Sequence, residues 1–182
     1  MSIRLGILGL GSMGRHHVRN AHATRGVDLV ALADPGGDRF GVAGNLPVLG
    51  GVEELIEAGI DAAIIAAPTA HHEAAALALA EAGVHTLVEK PLATSVEAGR
   101  RIRDAFARAG LVGAVGYVER CNPALIDMRR RIAQGQLGDI EQIATRRQSP
   151  FPARISDVGV VKDLATHDVD LAAWVAGAPY ES

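Results

Sequence analysis

Short apolar runs alternate with longer amphipathic segments over the first part of the chain. The runs predict strands at 3–9, 27–34, 61–66, 84–89 and 111–117. The segments between them predict helices that begin near Ser12, Asp38, Val52, Ala70 and Ser95. Such alternation is typical of βαβ units, in which right-handed crossovers cover a parallel sheet with helices.

The alternation ends near Val118, and we place a domain boundary there. Beyond it the pattern predicts a helix at 123–134, a strand at 140–148 and a last helix at 162–175. One strand and two helices cannot bury the face of a sheet, so we expect a truncated second domain. The sequence therefore predicts an α/β fold: a Rossmann-type parallel sheet with helices on both faces in 1–118, then the start of an α+β domain in 119–182.

A glycine-rich turn follows the first predicted strand and opens the first predicted helix. Its sequence, Gly9-Leu10-Gly11-Ser12-Met13-Gly14, has the spacing G-x-G-x-x-G. In a dinucleotide site the first glycine makes a tight turn, the second lets the backbone approach a pyrophosphate, and the third allows close packing of helix on strand. We therefore predict cofactor contacts from these glycines, Ser12 and Met13 at the positive end of the helix.

An acidic residue, Asp34, ends the second predicted strand. It follows Gly14 at the distance, about twenty residues, at which a carboxylate accepts hydrogen bonds from the adenosine ribose diol. Its charge repels a 2′-phosphate, so the sequence favours NAD over NADP as the cofactor. Arg39 could instead reach such a phosphate, the alternative being an arginine on a solvated helix surface.

The tripeptide Glu89-Lys90-Pro91 ends the fourth predicted strand. Ligands of open α/β sheets bind beyond the carboxyl ends of the strands, which places Lys90 where the nicotinamide is expected. A lysine at this edge can donate to the reacting oxygen of a substrate. On these three residues alone, a surface lysine after a strand is the alternative.

A carboxylate and an imidazole share one face of the last predicted helix, because Asp163 and His167 are four residues apart. A histidine beside a carboxylate can take or return a hydroxyl proton near neutral pH. The alternative is an ordinary helix start, with Asp163 serving the macrodipole and His167 buried and hydrogen-bonded.

Composition and charge narrow the classes of function. Of the 182 residues 48% are hydrophobic, and the net charge of −3 comes from interspersed charges, so no basic stripe favours nucleic acid. The apolar runs are far shorter than a membrane span, and no signal peptide is evident. The single cysteine, Cys121, excludes an internal disulfide and a cysteine-rich metal site and favours the cytoplasm. We expect no metal.

Three motifs occur in this order along the chain: the glycine-rich turn with Asp34, the tripeptide Glu89-Lys90-Pro91, and the pair Asp163 and His167. Together they resemble the glucose-fructose oxidoreductase, inositol dehydrogenase and rhizopine-catabolism (Gfo/Idh/MocA) family. The segment Ala67-Pro68-Thr69-Ala70-His71-His72 is similar to the family's loop after the third main strand, and His17 lies where the family often has a histidine. The resemblance adds Pro68, Thr69, His72, Glu89 and Lys90 to the cofactor-binding residues. It covers essentially the whole chain.

The resemblance implies NAD(P)-dependent hydride transfer to or from a secondary alcohol or ketone of a sugar, cyclitol or nucleotide sugar. Lys90 would bind the reacting oxygen near the nicotinamide, His167 would be the general acid/base, and Asp163 would orient the substrate or that histidine. The implied full-length form is a homo-oligomer. The alternative is a non-catalytic dinucleotide-binding module or regulator, including an inactive fragment, because family members are roughly twice as long and fold alone does not fix function.

Residues 116–123 and 151–154 are similar to a subgroup that includes UDP-N-acetylglucosamine-derived 3-dehydrogenases. On that likeness Arg120, Asn122 and Arg154 are candidate substrate contacts, with surface and turn polarity as the alternative. The subgroup often has phenylalanine at the position of Cys121, which we interpret as a buried small apolar substitute and not a nucleophile.

Overall fold

Six parallel strands form one sheet in the computed structural model, which describes residues 2–146 and 165–181. The strands are β1 Ile3–Leu8, β2 Val27–Ala33, β3 Val48–Leu49, β4 Ala62–Ile65, β5 His85–Val88 and β6 Gly113–Val115. Their spatial order is β3-β2-β1-β4-β5-β6, and every neighbouring pair is parallel. The chain reverses its direction of winding between β1 and β4, which is where doubly wound folds bind dinucleotides.

Helices follow the strands on both faces of this sheet. They are α1 Gly14–Ala23, α2 Val52–Glu57, α3 His72–Glu81 and α4 Val96–Ala109. One apolar cluster joins the sheet to α2, α3 and α4 through Leu55, Leu79 and Ile102, and a second joins the opposite face to α1 through Val18. The predicted Rossmann-type α/β fold is confirmed.

The termini of α4 show how local sequence sets element ends. The Ser95 side chain accepts a hydrogen bond from the Ala98 N–H at 3.2 Å, a normal N-cap. The helix ends at Gly110, whose φ of 66° is the left-handed conformation that glycine adopts without strain. The N-cap at Ser95 and the left-handed glycine at Gly110 explain why the helix begins where the sequence predicts and ends at Ala109.

Contacts divide the chain into two compact units, Met1–Gly116 and Tyr117–Ser182. The second unit contains α5 Pro123–Ala133 and α6 Thr166–Ala176. The predicted start of the last helix, and the candidate residues Asp163 and Arg154, lie outside the described residues. Within 2–146 and 165–181, no helix is long and apolar enough to cross a membrane.

Two predicted elements are wrong. No helix begins near Asp38, because its carboxylate accepts hydrogen bonds from the main-chain N–H groups of Phe40 (3.3 Å) and Ala43 (2.7 Å), which shapes a loop. The same bonds hold the pKa of Asp38 below its usual range. Residues 140–146 pair with no described strand, and without a partner the predicted strand at 140–148 does not form there.

Candidate functional site

The three glycines of the turn after β1 fulfil three different steric requirements. Gly9 has a φ of 94°, and a Cβ there would lie 2.6 Å from the main-chain nitrogen of Ala67. A Cβ on Gly14 would lie 1.8 Å from the carbonyl oxygen of Gly9, so only glycine allows α1 to start against the turn. Gly11 is exposed, and a Cβ there would meet nothing within 4 Å. The turn therefore has open space at the one glycine that a pyrophosphate would approach.

Ser12 and Met13 complete this turn and are exposed at the N-terminus of α1. The main-chain N–H groups of a helix start are oriented outward and carry partial positive charge. No acidic side chain lies in the first turn of α1. A pyrophosphate placed here would therefore meet N–H donors and no opposing carboxylate from that turn.

Asp34 connects the end of β2 to the glycine-rich turn. Its Oδ2 accepts a hydrogen bond from the Leu10 N–H at 2.7 Å, and its Oδ1 accepts one from the Gly36 N–H at 2.7 Å. The side chain remains partly exposed. Each carboxylate oxygen has more than one acceptor position, so both could still accept from a ribose diol.

Arg39 lies close to this carboxylate, and Arg15 contacts the same loop after β2. The guanidinium of Arg39 bends back over Gly36, where a Cβ would lie 3.0 Å from it and 3.2 Å from Asp34 Oδ1. The guanidinium of Arg15, in the first turn of α1, lies 4.8 Å from the ring centre of Phe40. No motif in the sequence predicts this stacking, because Arg15 lies on α1 and Phe40 lies in the loop after β2.

Lys90 lies directly beyond β5, at the same edge of the sheet as the glycine-rich turn, and is half-buried. The preceding residue, Glu89, is 5% exposed. Its Oε1 lies 2.7 Å from His17 Nε2, and its Oε2 accepts a hydrogen bond from the Lys90 N–H at 3.2 Å. The carboxylate of the tripeptide therefore points into the protein, while Lys90 follows it at the edge of the sheet.

The loop after β4 contains Pro68 and Thr69 and is fixed by His72. This histidine, at the start of α3, is 1% exposed. Its Nε2 lies 2.8 Å from the carbonyl oxygen of Ala67, and its Nδ1 lies 3.0 Å from that of Pro91. His72 thus connects the loop after β4 to the segment that follows Lys90.

In the second unit, helix α6 carries His167 and is attached to a short 3-10 turn at Val118–Cys121. Both Arg120 Nε and Nη2 donate to Asp170, at 2.8 and 2.5 Å, and Asp170 is the more buried partner. Burial and the charge of Asp170 raise the pKa of Tyr117 beside them. The predicted role of Arg120 in substrate binding stays a prediction, since its guanidinium is engaged here.

Two neighbours of Arg120 lie where the 3-10 turn leads into α5. The Oδ1 of Asn122 accepts a hydrogen bond from the Ala124 N–H at 3.0 Å, so it caps α5, with Pro123 as the first helical residue. Cys121 is exposed, and its interpretation as a buried apolar residue is wrong. The turn that contains it has no buried position to offer, because no residue of Val118–Cys121 is buried.

We expect Asp170→Asn to destabilise the second unit by about 1 kcal/mol, because the partly exposed Arg120 loses a bidentate partner but keeps access to water. Urea unfolding of the variant and of Asp139→Asn, a change at an exposed carboxylate of the same unit, measures this. The control should shift the free energy of unfolding by less than about 0.5 kcal/mol. Equal shifts for both variants would show that the pair contributes nothing.

Comparison with known proteins matches both units to family descriptions. Residues 3–117 match "Oxidoreductase family, NAD-binding Rossmann fold", and residues 125–182 match "GFO/IDH/MocA C-terminal domain". A scyllo-inositol 2-dehydrogenase (NAD(+)) of Bacillus subtilis is 34% identical over 99% of this chain, which spans 56% of that enzyme's length. A UDP-N-acetylglucosamine 3-dehydrogenase of Acidithiobacillus ferrooxidans is 32% identical over 97% of the chain, which spans 55% of it.

Among solved structures, a putative myo-inositol dehydrogenase from Sinorhizobium meliloti superimposes with a TM-score of 0.87. It is 28% identical, and the match covers 97% of this chain and 56% of that one. The chain therefore spans about half the length of these relatives in both kinds of comparison.

Proposed function

Because the chain belongs to the Gfo/Idh/MocA family of NAD-binding oxidoreductases, we propose that it acts in NAD-dependent hydride transfer to or from a secondary alcohol or ketone. The family resemblance read from the motifs is thereby confirmed. The proposed substrate is a sugar, cyclitol or nucleotide sugar. The relatives from Bacillus subtilis and Acidithiobacillus ferrooxidans are named for a cyclitol and a nucleotide sugar, respectively. The observation that carries the proposal is the arrangement of the glycine-rich turn, Asp34 and Lys90 at one edge of the sheet.

At the adenosine end, Asp34 would accept hydrogen bonds from the ribose diol while the glycine-rich turn holds the pyrophosphate. The Asp34 carboxylate is already fixed by two main-chain N–H groups, so it need not reorganise when the diol binds. Its negative charge would repel the 2′-phosphate of NADP, and Arg39 beside it is the group that could oppose this preference.

At the reacting end, NAD supplies or accepts the hydride directly, and the chain supplies binding and proton transfer. Lys90 would contact the nicotinamide end of the cofactor, donate a hydrogen bond to the reacting oxygen and stabilise negative charge on it. His167 would take or return the hydroxyl proton as general acid/base, with Asp163 orienting it or the substrate. Pro68 and Thr69, in the loop after β4, would contact the cofactor. Glu89 and His72, both buried, would hold the segments that line the cofactor in place.

The remaining assignments belong to the same proposal. Residues 1–118 would form the cofactor domain and 119–182 the beginning of the substrate and oligomerisation domain. Asn122 and Arg154 join Arg120 as proposed substrate contacts. A homo-oligomer is the proposed assembly of the complete form, and the single cysteine supports a cytoplasmic location.

Titration of the purified chain with NADH and NADPH, followed by cofactor fluorescence, tests this function. We expect saturable binding of NADH at least about tenfold tighter than that of NADPH, equivalent to about 1.4 kcal/mol, because Asp34 repels the 2′-phosphate. A folded chain that binds neither cofactor would overturn the proposal. In parallel, NADH formation from NAD is followed with scyllo-inositol and UDP-N-acetylglucosamine as substrates; binding without turnover would favour the non-catalytic module.

A further inference from the structure

A largely buried contact between His17 and Glu89 joins two segments of the proposed cofactor edge. His17 lies on α1, the helix that starts at the glycine-rich turn, and Glu89 lies directly after β5. Their side chains are 14% and 7% exposed, and Nε2 and Oε1 are 2.7 Å apart. A carboxylate so far removed from water is costly unless each oxygen has a donor, so the loss of His17 would leave Oε1 uncompensated.

The same carboxylate holds the main chain of Lys90. Its second oxygen accepts the Lys90 N–H at 3.2 Å, while the Glu89 N–H donates to Ile65 of β4 at 2.9 Å. Gly116, after β6, leaves room for the carboxyl group, because a Cβ there would lie 3.0 Å from Glu89 Cδ. The direction of the Glu89 side chain is therefore fixed by β4, by Gly116 and by His17, and Lys90 is fixed through it.

We propose that His17 is a positioning residue that sets the orientation of Lys90 through Glu89. This inference rests on the proposed function, in which Lys90 acts beside the nicotinamide. If His17 is lost, the Glu89 carboxylate turns away from its buried position toward water and releases the Lys90 N–H. The main chain that carries the lysine side chain is then less fixed. Because small displacements of a positioned group strongly reduce its contribution, the contacts that Lys90 makes with its ligand become weaker.

The proposal predicts an effect confined to one end of the cofactor. The Asp34 oxygens accept hydrogen bonds from the N–H groups of Leu10 and Gly36, and a Cβ on Gly11 would meet nothing within 4 Å, so we expect neither position to depend on the His17–Glu89 pair. A general loosening of α1 would weaken binding of every dinucleotide fragment, because the pyrophosphate site is at the start of that helix. Loss of positioning at Lys90 would weaken the binding only of ligands that carry the nicotinamide.

The test compares NADH with ADP-ribose, which lacks the nicotinamide, by calorimetric titration of the chain and its variants. We expect His17→Ala to reduce NADH affinity about tenfold, the scale of one lost hydrogen bond to a charged group, with ADP-ribose affinity unchanged. His17→Gln, whose amide N–H can donate from the place of Nε2, should restore NADH affinity. His22→Ala, at an exposed histidine of the same helix, is the matched control and should change neither affinity.

A double-mutant cycle with Lys90→Ala shows whether His17 acts through the lysine. In the Lys90→Ala background we expect His17→Ala to have no further effect on NADH affinity, since coupled positions are not additive. If His17→Ala does not fold, His17→Asn replaces it, because its shorter amide cannot reach Glu89.

Three outcomes would overturn the inference. They are equal losses of NADH and ADP-ribose affinity in the His17 variant, no rescue by His17→Gln, and additive effects with Lys90→Ala. Failure of the unmodified chain to bind either ligand would instead overturn the proposed function, so the two failures can be told apart.

Discussion

Replacing Gly11 by alanine will weaken NADH binding by at least about tenfold while leaving the fold intact, a cost of about 1.4 kcal/mol or more in binding free energy. The Cβ meets no protein atom within 4 Å, so the free protein accommodates it. It fills the space through which the backbone would approach the pyrophosphate. Fluorescence titration measures the affinity, and thermal unfolding measures the stability.

Gly14→Ala is the matched comparison, and we expect the opposite pattern. Its Cβ would lie 1.8 Å from the Gly9 carbonyl oxygen, which is main chain and cannot rotate away. Forced overpacking of this kind costs about 3 kcal/mol or more, so the variant should unfold at clearly lower urea concentration. If Gly11→Ala proved the more destabilising of the two, the steric assignment of the turn would be wrong.

Replacing Asp34 by alanine will remove the preference for NADH over NADPH. The ribose diol loses its acceptor, which lowers NADH affinity by about tenfold or more, the value of a hydrogen bond to a charged group. The 2′-phosphate of NADPH loses a repelling charge beside Arg39, so NADPH affinity holds or rises. Parallel fluorescence titrations with both cofactors give the ratio of dissociation constants.

Asp34→Asn separates the loss of the hydrogen-bond acceptor from the loss of the negative charge. The amide keeps the size and one acceptor oxygen of the side chain but loses its charge. We expect NADPH affinity to hold or rise as in the alanine variant, while NADH affinity falls less. An unchanged ratio of the two dissociation constants in both variants would exclude Asp34 from cofactor discrimination.

The loop after β2 shows why one predicted helix is wrong. Asp38, Arg39 and Phe40 fit an amphipathic helix, yet the Asp38 carboxylate binds main-chain N–H groups of its own loop. Gly41 and Gly44 then adopt φ values of 64° and 59°, which end any helical course. Side chain and helix compete for the same N–H groups, and hydrophobic periodicity does not report which one wins.

Contiguous sequence determined most of the fold and the outline of the site. The glycine spacing, the acidic end of β2 and the lysine after β5 each lie within a short window, and the parallel-sheet rule places them at one edge. Only the tertiary structure decided that His17 meets Glu89, that His72 connects two loops, and that Arg120 pairs with Asp170. These partners are far apart along the chain, and their side chains meet only after the strands and helices have packed.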